Sequence, residues 1–242
     1  MQISTNRTVR EIVVEFPLTT RIFEEFKIDY CCGGARSLDD ACQSAGADPV
    51  ALLERLDQVS ENLVDDLDWL KNSTLSRLID YIVESHHVFT KAEISALPVL
   101  MAKVADRHGE KHAELLQLEM VVHELCGDLS IHLEKEEEIL FPYIDKLERA
   151  QETGSGLPFS CFGTVHNPVR MMMMEHDTAG DMLRRIRELT SDYRLPDGAC
   201  TSYTALYRRL EAFELDLHQH IHLENNLLFP RALELEERCL QN

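Results

Sequence analysis

Two segments of this chain repeat one pattern of side chains that can hold a metal ion: His132-Leu-Glu-Lys-Glu136-Glu-Glu-Ile-Leu-Phe-Pro142 and His220-Ile-His-Leu-Glu224-Asn-Asn-Leu-Leu-Phe-Pro230. Each sets a histidine four residues before a glutamate. At about 100° per residue, a step of four brings imidazole and carboxylate onto one helical face, about one turn apart. Such a pair is half of a metal site, and two such helices facing each other would hold two ions. The pattern extends backwards too. His87 lies about 45 residues before His132, and His176 about 44 before His220. This spacing predicts two helical hairpins, each with one histidine on its first helix and a His/Glu pair on its second. A duplication of that kind packs as an antiparallel four-helix bundle with pseudo-twofold symmetry and can aim all six side chains into the core.

Helical phase sorts the other candidates. His218 and His222 flank His220 at two residues, about 160° round the helix, and His86 points about 100° away from His87. His123 and His112 are out of phase with His132. The repeat also selects the carboxylates. The first copy offers Glu136, Glu137 and Glu138, the second Glu224, Asn225 and Asn226, so only the first glutamate occurs in both. The expected ligands are His87, His132, Glu136, His176, His220 and Glu224. Glu84 and Glu175, close in sequence to His87 and His176, are candidates to brace a ligand or to line a route to the metals, with plain surface exposure the alternative. Imidazole mixed with carboxylate favours Fe, Mn or Zn over Ca or Mg, and zinc is normally satisfied by four ligands on one ion. Iron fits best. Two imidazoles and one oxygen from each bridging glutamate fill four positions per iron. An oxo or hydroxo bridge supplies a fifth, which leaves one open for a small ligand.

The elements that must place these residues are helices throughout, since no alternating strand pattern occurs. The first 60 residues read as a small domain of short amphipathic helices. Thr8 with Glu11 forms a capping box before Val9, Ile12 and Val13. A second helix carries Ile22 and Phe23, Ser37 with Asp40 caps a third, and Asp48-Pro49 opens a fourth carrying Val50, Leu52, Leu53 and Leu56. Between them lies the loop Asp29-Tyr-Cys31-Cys32-Gly-Gly-Ala35. Residues 61–74 read as an acidic linker, and 75–242 as the bundle. Its first long helix is expected to be interrupted or kinked at Pro98, and Met171–Met174 to fill core on the third. Met172 and Met173 are placed with His176 on the inward stripe.

Cys31 and Cys32 are adjacent, so a disulfide between them would be a strained ring, easily reduced. In a loop with two glycines they could serve as reactive thiolates, a labile metal site or a redox pair. The other five cysteines are scattered. An odd total of seven is unlike a secreted disulfide framework and fits a reducing, cytoplasmic compartment. A formal net charge of -19 argues against nucleic acid and anionic membrane surfaces as partners. No apolar run is long enough to span a bilayer, and the N-terminus lacks an apolar signal core.

The bundle pattern resembles the hemerythrin-like domain. Together with Tyr30-Cys31-Cys32-Gly33-Gly34, Glu175-His176-Asp177 and His220 through Pro230, the chain resembles the RIC family of di-iron proteins that repair iron-sulfur clusters. The resemblance covers nearly the whole chain. It implies an all-α fold, a small N-terminal cysteine domain before a hemerythrin-like bundle, the six ligands named above and a functional Cys31–Cys32 pair. It further implies damaged iron-sulfur proteins as targets, nitric oxide or oxygen as small ligand, and a homodimer. The residues leave open whether the centre donates iron, reduces nitric oxide, or does both. A hemerythrin-like oxygen or nitric oxide sensor or store, without repair activity, is the competing reading. The cysteine loop argues against it, since a carrier needs no thiols.

Overall fold

The computed structural model describes residues 3–60 and 69–241, and among these the chain is all-α. Four short helices come first: α1 (Val9–Glu15), α2 (Thr20–Glu25), α3 (Leu38–Ala45) and α4 (Pro49–Ser60). Their starts follow the local chemistry. Thr8 accepts from the Glu11 N–H while the Glu11 carboxylate accepts from the Thr8 N–H, a complete capping box. The Ser37 hydroxyl accepts from the Asp40 N–H and the Asp48 carboxylate from the Val50 N–H. Val9, Ile12, Ile22, Phe23, Leu38, Leu52 and Leu56 form one buried cluster, which Ile221 of the bundle joins. Val50, expected among the apolar positions, is exposed because it faces away from that cluster.

Of the segment read as a linker, 61–68 lies outside the described residues. The chain resumes as α5 (Trp69–Asn72), where Leu70 is buried and Trp69 stands edge-on to Tyr81. Four long helical rods follow. The first joins α6 (Leu75–Tyr81) to α7 (Val88–His108), and the second α8 (Glu114–Lys135) to α9 (Phe141–Thr153). The third is α10 (His166–Thr190), and the fourth joins α11 (Thr201–Leu223) to α12 (Phe229–Gln241). α7 packs on α8 and α11, and α10 packs on the same two. Pro98 does not interrupt α7. Its missing N–H costs one backbone bond, but the fully buried Leu97 and Met101 on either side keep the helix in the core. The methionine run is core at Met172 alone; Met171, Met173 and Met174 are exposed. Four consecutive helical residues sweep the whole circumference and cannot all face inward.

Three rods contain a π-helical turn: Ile82–His87, Glu136–Leu140 and Glu224–Leu228. The i→i−5 bonds are explicit, the Phe141 N–H donating to the Glu136 carbonyl and the Phe229 N–H to the Glu224 carbonyl. Each of these two turns runs into Phe-Pro. Pro142 and Pro230 have no N–H, and within a regular helix their rings would crowd the carbonyl four residues back. The wider turn just ahead accommodates them.

The bundle interior is two apolar clusters with a polar layer between. One holds Leu78, Ile82, Leu140, Phe141, Met172 and Phe229; the other holds Leu97, Leu125, Leu129, Ala179, Leu183 and Leu217. Every rod passes from one cluster to the other across the layer that carries its histidine.

Candidate metal centre

The six residues chosen from helical phase meet in that layer. Glu136, Glu224 and His87 are fully buried, and His132, His176 and His220 are nearly so. They form two overlapping groups: His87, His220, Glu136 and Glu224, and His132, His176, Glu136 and Glu224. In the first, His87 Nε2 lies 3.0 Å from His220 Nε2, 3.5 Å from Glu136 Oε2 and 3.7 Å from Glu224 Oε1. In the second, His132 Nε2 lies 3.1 Å from His176 Nε2 and 3.4 Å from Glu136 Oε2, and His176 Nε2 lies 3.2 Å from Glu224 Oε2. Glu224 thus faces one group with each oxygen. Both carboxylates belong to both groups.

The outer nitrogens set the tautomers. His87 Nδ1 donates to Glu137 at 2.7 Å, His132 Nδ1 to Glu175 at 2.9 Å and His176 Nδ1 to the Asn225 side-chain oxygen at 2.9 Å. Their Nε2 atoms therefore present lone pairs inward. Two lone pairs facing each other at 3.1 Å, as in His132 and His176, repel unless a cation lies between them. Both oxygens of Glu136 and Oε2 of Glu224 are buried without a hydrogen-bond partner. Unpartnered buried carboxylate oxygens beside unprotonated imidazoles are a donor set awaiting a cation. The residues fit a metal.

The charges agree. Burial and the adjacent Glu224 push Glu136 well above the usual carboxylate range. Burial would raise Glu224 as well, but His220, His176 and His87 hold it well below. Burial pulls His220 down to about 4 and lowers His132, so both imidazoles are neutral and free to ligate. Glu175, paired first with His132 and then with Lys135, is held at about 2. A cleft of ≈ 260 Å³ lined by His132, Lys135, Glu175 and His176 reaches this side of the layer from the surface.

Apart from Glu175, a candidate brace from sequence, the supporting residues were not assigned there. Glu137, out of phase as a ligand, braces His87 and is held by Lys91. Glu175 braces His132 on the neighbouring rod and not its sequence neighbour His176. Glu84 is exposed. His86 is buried, bonded to Asp216 and stacked on His220, and His222 is buried against Asn226. Asn225 had one signal: it stands where the first copy has Glu137.

The cysteine loop lies against this layer. Asp29 Oδ1 accepts from the N–H groups of Cys31 and Cys32, and the two sulfurs are 3.8 Å apart, unbonded. Cys31 is buried; the neighbouring Cys32 thiol, then burial, drive it well above the usual thiol range, so it is not a thiolate here. Cys32 is half-buried, with Sγ 3.7 Å from the His176 carbonyl oxygen. The pair opens on a cleft of ≈ 670 Å³. The two asparagines fix the loop: Asn225 donates to the Cys31 carbonyl and Asn226 to the Tyr30 carbonyl, while Arg10 donates to Asn226. Gly34 is required by that approach. A Cβ there would fall 2.9 Å from the Tyr30 oxygen and 3.3 Å from Asn226 Oδ1.

A helical bundle with a buried His/Glu layer of this kind is a metal-binding bundle. Two family models match the chain: a domain of unknown function, DUF542, over residues 5–60, and the hemerythrin HHE cation binding domain over residues 94–232. His87 lies just ahead of the second match. Curated relatives include the iron-sulfur cluster repair protein YtfE of Yersinia pseudotuberculosis serotype IB, 33% identical over 96% of this chain and 98% of that protein. The YtfE protein of Yersinia pestis strain Pestoides F is similar to the same extent, 33% over 96% and 98%. The chain belongs to the RIC family, with the hemerythrin HHE cation binding domain as its bundle. Among the described residues, no helix is long and apolar enough to cross a membrane.

Proposed function

We propose that this protein repairs iron-sulfur clusters damaged by nitric oxide or oxidants, using two iron ions in the bundle and the Cys31–Cys32 pair beside them. One observation carries the reading. The loop bearing the thiols is hydrogen-bonded through Asn225 to His176, so the candidate metal layer and the cysteine pair form one continuous site. The names of the Yersinia relatives point the same way.

His87 and His220 would hold one iron, His132 and His176 the other, with Glu136 and Glu224 spanning both and an oxo or hydroxo bridge completing the pair. When bound, such a centre supplies exchangeable iron and open coordination for nitric oxide or oxygen. The protein does the rest. Glu137, Glu175 and Asn225 hold three imidazoles in the tautomer that presents Nε2. His132 and His220, lowered by burial, and Glu136, raised by it, let cations enter with proton release from the carboxyl. The cleft beside Glu175 gives a small ligand or a leaving ion a path, and the half-buried Cys32 lies at the mouth of the other cleft. Seven free cysteines suit a reducing cytoplasm.

The test is to incubate the iron-loaded protein with a nitric-oxide-damaged cluster enzyme and follow recovered activity. Recovery with the native protein, and none with Glu136→Leu, is expected. Reversible gas binding without recovery would favour a sensor or store.

A further inference from the structure

The two copies of the repeat differ most informatively just after the shared glutamate. Glu137 in the first copy braces His87 and accepts from Lys91, so both its outer contacts are donors. Asn225 in the second copy braces His176 in the same way but has a different outer neighbour. Its oxygen accepts from His176 Nδ1 at 2.9 Å, and its nitrogen donates to the Cys31 carbonyl at 3.3 Å. A carboxylate could make the first contact but would set oxygen against oxygen in the second. Of side chains this size, only the amide both accepts inward and donates outward. Asn225 is almost fully buried, so water does not substitute for either contact.

We infer that Asn225 is a positioning residue that couples the Cys31–Cys32 loop to the His132/His176 half of the metal layer. This rests on the proposed ligand set. Iron on His176 fixes the imidazole, the imidazole fixes the amide, and the amide fixes the loop that carries Cys32. Among the described residues the opposite half has no such link: Glu137 ends on Lys91, and His220 Nδ1 has no hydrogen-bond partner. Coupling of this sort is reciprocal: whatever iron does to the loop, a change at the loop does to iron affinity by the same factor.

The test reads thiol reactivity. The rate of Cys32 alkylation by iodoacetamide is followed peptide by peptide in the full chain, with and without ferrous iron, and bound iron is measured on the same samples. Iron should slow Cys32 in the native protein by on the order of five-fold, the lower end of couplings between sites. Asn225→Asp keeps an acceptor for His176 and loses the donor to Cys31. It should show equal Cys32 rates without iron and at saturating iron. Glu84→Gln, at an exposed position on the first rod, should keep the native ratio. With iron bound, equal rates in the native protein, or a ratio that survives Asn225→Asp, overturn the inference and leave the ligand set standing. Absence of bound iron in the native protein overturns the ligand set, and the coupling falls with it.

Discussion

Glu136 and Glu224 occupy equivalent places in the repeat and behave oppositely. Burial and then Glu224 push Glu136 well above the usual carboxylate range, while His220, His176 and His87 hold Glu224 well below it against the pull of burial. Glu136→Gln replaces a carboxyl whose burial favours the uncharged form by an uncharged group of the same shape. In the metal-free protein it should cost less than about 1 kcal/mol, a melting shift within roughly 2–4 °C for a chain of this size. Iron bound per chain should fall by at least one ion, because an amide cannot bridge as a carboxylate does. Calorimetry of the metal-free variant and metal analysis of the loaded one check both halves. A large melting shift, or undiminished iron, would contradict this assignment. That these six residues would meet was legible from sequence because helical phase and an internal duplication are local, repeated signals. Their braces were less so. Glu175 serves a histidine on another rod, a pairing that no single-helix pattern encodes.

At the scale of elements, the π turns were invisible to a reading that assumes one helical period, although the Leu-Phe-Pro that follows two of them was in plain view. Each takes one residue more per turn than an α-helix. Ile139 is exposed within the second turn, so deleting it should remove the extra residue with little loss of core packing, at the cost of setting the proline ring against the carbonyl four residues back. The variant should stay helical by circular dichroism yet bind less iron, since the Glu136 backbone leaves its present position. Full iron binding would show that the turn is incidental to the site. The start of α6 offers a pH test away from the metals. Glu148 accepts from the N–H groups of Leu75 and Ser76 and from the Ser76 hydroxyl. Burial opposes its ionisation, but these donors and Arg231 hold it below the usual carboxylate range. A depressed folded-state value stabilises the protein above the ordinary carboxylate pKa of about 4.3, and that contribution is lost as pH falls through the folded value. Glu148→Gln should therefore cost about 1 kcal/mol at pH 7, the low end for a charged hydrogen-bonding group because Glu148 is partly exposed. In urea unfolding, the gap from native should close below pH of about 4. A gap constant with pH would refute the ionic origin.

At the scale of the whole molecule, the short helices of the N-terminus and the bundle meet across Asn225 and Asn226, joining residues nearly two hundred apart in the chain. Local periodicity carries no record of such a contact, so the sequence placed Cys31 and Cys32 in a loop without showing what the loop faces. Arg10 secures the junction by donating to Asn226. Arg10→Ala should loosen it and expose Cys31, raising that thiol's alkylation rate while the bundle still binds iron; an unchanged rate would show that Arg10 does not hold the loop. The central claim is that thiols and metals act together in repair, though the thiols do not hold the metals. The most direct measurement takes Cys31→Ala,Cys32→Ala and determines iron per chain and recovery of a nitric-oxide-damaged cluster enzyme on one preparation. The account predicts the native iron content with repair abolished. Repair at the native rate from that variant would contradict it.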